Sequence, residues 1–317
     1  MGKPRIHLIT TGGTIAGTSA SATDTTDYRA GSLTAEQLLA SVPALTDIAE
    51  IDVENLYSID SKDMTPEHWL GLARATQTAL ERDDVDGVVI THGTDTLEES
   101  AFFLDLVLQS EKPVVFTCAM RPATALSSDG PMNLFGAVSV AAHPEAAGLG
   151  VLVVANDRIH AAREVTKAHT QAVDAFISAD AGPIGWARPP RIDMRPNRDA
   201  NPPYPLAEIG QLPDVEVLVI SAGSSPRLLE AVRANGAVGA VLAAPGNGSL
   251  PANFLPAVAG ARAAGLRVVV TSRCLAGGLD GMHRERLPSP TRLSALKARV
   301  ALIAACGSGM DEHSFAD

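Results

Sequence analysis

Apolar runs recur along this chain, each ending in a polar, glycine-bearing turn and followed by a helical pattern. That alternation restricts the chain to parallel sheets covered by helices. The first run organises the rest. Ile6 to Ile9, within RIHLITTGGTIAG, reads as a buried strand. It ends in Thr10-Thr11-Gly12-Gly13-Thr14, where adjacent glycines let the backbone turn sharply and let a small ligand approach it. Thr14 falls just past the strand end, where α/β sheets build their sites. An ordinary Gly-rich turn has the same appearance. The glycines at 12, 13 and 17 do not form the dinucleotide-binding G-x-G-x-x-G.

Thr18 to Gly31 has no apolar period and is long enough to be a lid; its Tyr28 either pins the loop or serves the site. Thr34-Ala35-Glu36-Gln37 has the form of a capping box and predicts a helix through about Val42. The spacing of Ile48, Ile51, Val53 and Leu56 predicts a strand over 48–57, ending in the polar loop Ser58–Met64. Thr65 and Pro66 predict a helix start, with Trp69, Leu72, Ala73, Thr76, Ala79 and Leu80 on one face. Asp86–Thr91 has the continuous apolar character of a central parallel strand. It leads into His92-Gly93-Thr94-Asp95-Thr96, and Thr96-Leu97-Glu98-Glu99 reads as a second capping box. Asp95 therefore suits helix capping by position.

Strands over 113–118 and 150–155, and a helix from Pro131 to about Ala142, continue the alternation. The proline-, asparagine- and arginine-rich stretch Arg188–Pro213 reads as irregular linker. Beyond it, strands over 215–221, 238–243 and 267–271 alternate with helices over 226–234, 251–264 and 292–305. The expectation is two α/β domains, each a mainly parallel sheet flanked by helices: a larger one over 1–190, a linker over 191–212, and a smaller one over 213–317.

Composition narrows the function classes. Hydrophobic residues are 46% of 317, so the chain is globular. No apolar run reaches the roughly 18 residues of a membrane span. A net charge of −11 argues against nucleic acid as a partner, and 4% aromatics offer no base-stacking platform. Cys118, Cys274 and Cys306 are odd in number and widely spaced, which suggests neither a disulfide framework nor a zinc site. With no secretory-type segment, the cytoplasm is the expected compartment.

Three strand ends carry hydroxyls, at Thr14, Ser61 and Thr94. Two threonines beside glycines, an acid at Asp95 and an amine at Lys167 suit nucleophilic acyl transfer. The turns at Gly13 and Gly93 could supply backbone donors to an oxyanion. On its own segment, Lys167 reads as solvated surface. A phosphate-binding protein using the helix starts at 95 and 131 is the other reading from chemistry alone, but no G-x-x-x-x-G-K-[ST] supports it.

TTGGTIAG at 10–17 and VITHGTDTLEESAFFLDL at 89–106 resemble the two signature segments of bacterial-type L-asparaginases. The resemblance extends through DYRAG at 27–31, DSKDM at 60–64, AMRP at 119–122, DGPMNL at 129–134, REVTK at 163–167 and PGNGS at 245–249. It implies hydrolysis of L-asparagine to L-aspartate and ammonia, with glutamine a slower substrate and no metal or organic cofactor. By the same resemblance Thr14 is the nucleophile, with Tyr28 on a mobile lid beside it. Thr94, Asp95 and Lys167 form a second triad, in which a partly neutral lysine amine helps move a proton. Ser61 and Asp95 hold the substrate's α-carboxylate and α-amino groups, with Lys62 adjacent, and the carbonyl of Ala119 meets the leaving amide. Asn247 is lent by a neighbouring subunit, implying a homotetramer or homodimer with sites at the subunit interface. A related amidohydrolase, a tRNA-linked amidotransferase subunit and a non-enzymatic binding protein on the same fold are the alternatives.

Two departures from the family pattern bear on affinity. Lys62 stands where secreted members commonly carry Gln. The segment after Ser272 is short and offers only Asp280 and Glu285 as acidic contacts for a neighbour's substrate amine. Both imply weak recognition of the amino group and a Michaelis constant nearer millimolar than micromolar.

Overall fold

The computed structural model describes residues 2–25, 27–196, 203–281, 284 and 287–310, and divides into two compact units, Met1–Pro202 and Pro203–Asp317. In the first unit β1 (Arg5–Gly12) is followed by the short helices α1 (Ala35–Ala40) and α2 (Leu45–Ile48), then β2 (Glu50–Ile59). Next come α3 (Pro66–Glu81), β3 (Gly87–Thr91), α4 (Leu97–Val107), β4 (Val114–Thr117), α5 (Gly130–Ala141) and β5 (Val151–Ala155). Five three- or four-residue strands complete the unit: β6 (Arg158–Ala161), β7 (Val165–Lys167), β8 (Phe176–Ser178), β9 (Gly185–Ala187) and β10 (Pro190–Ile192).

The main sheet has the order β10-β9-β6-β5-β4-β3-β1-β2. From β5 to β2 every pairing is parallel; from β5 to β10 every pairing is antiparallel. β1 and β3 are adjacent, yet β1 leads to β2 on one side while β3 leads to β4 on the other. The connections therefore diverge at their carboxyl ends, leaving a crevice where open α/β sheets place ligands. Among the described residues β7 and β8 pair with each other alone, as a separate antiparallel hairpin.

Local chemistry explains the helix starts. Thr34 accepts the Gln37 N–H while the Gln37 side chain accepts the Thr34 N–H, a reciprocal cap. Thr65 does the same with His68, and Pro66 stands at the first turn. The predicted face of α3 is buried: Trp69, Leu72, Ala73, Thr76, Ala79 and Leu80, with Leu70 beside them. One predicted cap does not form. Thr96 makes no capping bond to α4 but donates its hydroxyl to the carbonyl of Ser61 at 2.7 Å.

Two further differences concern extent. The strand expected over 48–57 runs from Glu50 to Ile59, because α2 takes up residues 45–48. Pro190–Ile192, inside the stretch read as linker, pairs with β9 and forms the sheet's edge. Among its described residues the second unit has three parallel strands in the order β11 (Val215–Val219), β12 (Gly239–Ala244), β13 (Arg267–Ser272). They alternate with α6 (Arg227–Ala234) and α7 (Phe254–Ala263) and are followed by α8 (Ala295–Gly307).

Two histidines of the first unit are buried beyond solvent reach. His92 donates Nδ1–H to Gly93 O at 2.7 Å, and burial pulls its pKa down to about 4. His160 lies 2.9 Å from Ser178 Oγ; burial, aided by the Arg158 charge, pulls it down to about 4 as well. In the unfolded chain both bind protons near pH 6.5. Their neutral burial thus contributes stability that is fully present above pH 6.5 and drains away as pH falls towards 4. Urea unfolding across that window should show stability falling by roughly 3 kcal/mol per histidine. His160→Asn should flatten the slope by about half; an unaltered slope would assign the pH dependence to other groups.

Candidate active site

The crevice is assembled by backbone contact. Gly12 and Gly13 have φ of +100° and +77°, a region side chains avoid. A methyl group at Gly13 would lie 2.3 Å from Gly93 Cα, so the turns after β1 and β3 touch through bare backbone. A methyl at Gly12 would lie 2.4 Å from Ile59 O, and Gly13 N–H donates to that same carbonyl at 3.0 Å. The end of β2 thereby crosses the end of β1 and delivers Ser61 to the β3 turn. Ser61 Oγ accepts the Asp95 N–H at 3.2 Å, its carbonyl takes the Thr96 hydroxyl, and a side chain on Gly93 would collide with it.

Two hydroxyl clusters result. Thr14 Oγ1 lies 2.5 Å from the Tyr28 hydroxyl. The Tyr28 ring sits against Gly17, where a methyl group would come within 2.8 Å of it. The loop bearing Tyr28 is closed by paired backbone bonds between Thr18 and Arg29 and tied at its end by Gly31 N–H to Gly13 O. In the second cluster Lys167 Nζ donates to Thr94 Oγ1 at 2.8 Å and to Asp95 Oδ1 at 2.6 Å. Lys167 belongs to the separate hairpin, and its backbone N–H donates to Glu98 Oε1 at 3.1 Å. Glu98 is buried in the first turn of α4, so the helix holds the hairpin at the lysine itself.

Burial is uneven across the group. Thr14, Ser61, Thr94 and Ala119 are buried, whereas the Asp95 side chain is 56% exposed. Ala119 follows β4, so the ends of β4, β3, β1 and β2 contribute Ala119, Thr94 with Asp95, Thr14 and Ser61 in that order. Beside Ala119, burial pushes the Cys118 thiol pKa up; the Asp129 charge adds to this and the Lys167 charge opposes it.

Lys62 does not join the group. Its ammonium binds Asp60 at 2.5 Å and Asp63 at 3.6 Å, and its side chain is 62% exposed. It is a solvated lysine, so the charge argument for weak substrate affinity loses that support. Asn247 is in the second unit, on the turn after β12. Its Nδ2 donates to Asp280 O at 2.8 Å and its Oδ1 accepts the Asp280 N–H at 2.9 Å. The Asp280 carboxylate accepts the Gly281 N–H, and Glu285 lies outside the described residues. No group of metal-ligating side chains occurs among the described residues.

Glu98, Asp129 and Asn133 bond to backbone around the site, roles that the sequence does not announce. Glu98 stands in a helix start and Asp129 just before one, where an acid reads as an ordinary terminus residue.

Comparison with known proteins gives the family. The chain matches the family Asparaginase, N-terminal, over residues 5–199, and Glutaminase/Asparaginase C-terminal domain over 214–317. It is 40% identical over 311 residues to L-asparaginase 2 of Bacillus subtilis, covering 95% of this chain and 82% of that one. It is 41% identical over 309 residues to L-asparaginase 2 of Escherichia coli, covering 94% and 88%. The crystal structure of a probable cytoplasmic L-asparaginase from Campylobacter jejuni superimposes with a TM-score of 0.90 at 39% identity, covering 96% and 95%. The fold and the matched families thus define an α/β amidohydrolase of two units. The chain belongs to the asparaginase family.

The contact between the two turns can be tested without substrate. Gly13→Ala combines a positive φ with a backbone collision, whereas Gly182→Ala has φ +73° and open space. Gly182→Ala should cost only the strain of about 1–2 kcal/mol. Gly13→Ala should cost at least about 2 kcal/mol more. Equal midpoints in urea would mean that the turns do not depend on each other.

Proposed function

We propose that this chain hydrolyses L-asparagine to L-aspartate and ammonia, and L-glutamine more slowly, through an acyl enzyme on Thr14. The observation that carries the reading is the part-buried Thr14–Tyr28 hydroxyl pair beside the Thr94–Lys167–Asp95 cluster, in a chain of the asparaginase family. Thr14 Oγ bonds to the side-chain amide carbon and the C–N bond breaks. The hydroxyl proton, relayed by Tyr28 as it passes on its own, ends on the departing nitrogen. Water then adds to the ester carbon, aspartate leaves and Thr14 regains its proton. With the Gly13 N–H already donated to Ile59 O, the oxyanion is met by other backbone N–H groups of the two turns. The carbonyl of Ala119 accepts an N–H from the leaving amide.

The α-carboxylate is held by the Ser61 hydroxyl, whose oxygen already accepts the Asp95 N–H and whose proton remains to be donated. The α-ammonium binds the exposed carboxylate of Asp95, which has one oxygen engaged by Lys167. Because Thr14 and Ala119 are buried, substrate enters when the segment carrying Tyr28 moves aside. Buried Cys118 and exposed Cys274, both free thiols, suit a reducing cytoplasm.

Thr14→Ala should retain the fold and lose most ammonia release from L-asparagine, and mass spectrometry with a slow substrate should place the acyl adduct on Thr14. An adduct on Thr94 would overturn the assignment. Lys167→Met should lower kcat by about 10²-fold or more.

We also propose a homo-oligomer, a tetramer or dimer, in which Asn247 completes a neighbour's site. Its carboxamide is oriented by Asp280 and keeps one N–H to donate. Mixing Thr14→Ala with Asn247→Ala subunits should then restore part of the activity, because one of the two mixed sites is whole. Subunit exchange without restored activity would place each site within one chain.

A further inference from the structure

β4 ends at Thr117, and the chain after it turns away from the sheet ladder. The carboxylate of Asp129 receives the next peptides: its Oδ2 accepts the Met120 N–H at 2.9 Å and its Oδ1 the Arg121 N–H at 3.0 Å. Met120 N–H and Ala119 C=O belong to one planar trans peptide, so they point in opposite directions. Holding that N–H towards Asp129 aims the Ala119 carbonyl away from α5.

Asn133, one turn into α5 and 5% exposed, uses both ends of its carboxamide. Nδ2 donates to Cys118 O at 3.0 Å and to Asp129 Oδ2 at 3.1 Å, while Oδ1 accepts the Asn156 N–H at 2.9 Å. The peptide before Ala119 is therefore fixed by Asn133 and the peptide after it by Asp129. At Gly130 between them, a methyl group would lie 3.1 Å from Ile15 and 3.4 Å from Ala119, so the start of α5 lies against Ala119 and the neighbour of Thr14 alike.

We propose that Asp129 and Asn133 are positioning residues that aim the Ala119 carbonyl at the leaving amide and so set the enzyme's preference for amides over esters. The proposal rests on the role given to that carbonyl above. An amide places an N–H there; a methyl ester has none to offer, and both give the same acyl enzyme. Loss of the aim therefore penalises acylation by amides selectively.

The test compares kcat/KM for L-asparagine with that for the β-methyl ester of L-aspartate, in wild type, Asp129→Asn and Asn133→Ala. The ratio of the two constants does not depend on the fraction of folded enzyme, since both substrates report the same molecules. Both variants should lower the amide-to-ester ratio by about tenfold or more, in keeping with the cost of a small misplacement at a reacting centre. Hydrogen–deuterium exchange should show the Met120 and Arg121 amides losing protection in Asp129→Asn. An unchanged ratio, or unchanged exchange at those two amides, would overturn the proposal. Failure of the wild type to release ammonia from L-asparagine would instead overturn the activity, while the exchange measurement still decides whether Asp129 holds the turn.

Discussion

The backbones of Gly13 and Gly93 are in contact, and the rest of the site follows from that approach. Adjacent parallel strands lie about 4.8 Å apart, and side chains on the turns that leave them would ordinarily push those turns apart. With no Cβ on either residue, the turns after β1 and β3 close on each other at the point where the sheet connections diverge. The vacated volume lets the end of β2 cross over β1, which is how Ser61 comes to bond with Asp95 and Thr96. Threonines from two strands and a serine from a third are thereby gathered without a long loop.

Polar groups around the crevice are used for cross-links where position would suggest another role. Thr96 stands where a helix cap belongs, yet its hydroxyl serves Ser61; α4 begins instead among the acids Asp95, Glu98 and Glu99, whose charges suit a helix N-terminus. Asp129 precedes α5 but bonds to the turn after β4. Glu98 faces the Lys167 backbone. Such a bond contributes about 1 kcal/mol net between neutral groups and about 1.5–3 kcal/mol to a carboxylate, and removing one partner leaves a buried group unsatisfied at further cost. The arrangement therefore resists piecemeal loosening.

The elements with a full apolar period are legible in the sequence. α3 can be read from Thr65, Pro66 and the spacing of Trp69 to Leu80; β3 from its apolar run; the second unit from three strand–helix alternations. The strands of three or four residues from β6 to β10 are not legible, since such lengths contain no period and their pairing is decided by distant partners. The Thr96 cap misleads because a hydroxyl has several possible acceptors and only tertiary structure selects Ser61. Thr14, Tyr28, Thr94, Asp95 and Lys167 emerge from family-like motifs, but the contact of Lys167 with Thr94 spans 73 positions and is invisible locally. Lys62 shows the converse: its neighbours Asp60 and Asp63 sit beside it in the sequence, and they claim its charge.

Lys167 is carried by a hairpin with three residues in each strand, paired with no other strand among the described residues. Too short to stand alone, it keeps its place by what it touches: Val165 and Phe176 are buried, Ser178 Oγ lies 2.9 Å from His160 Nδ1, and Glu98 holds the Lys167 N–H. The position of the lysine amine is thus set by the core beneath the hairpin, so packing at Phe176, outside the crevice, bears on the chemistry inside it.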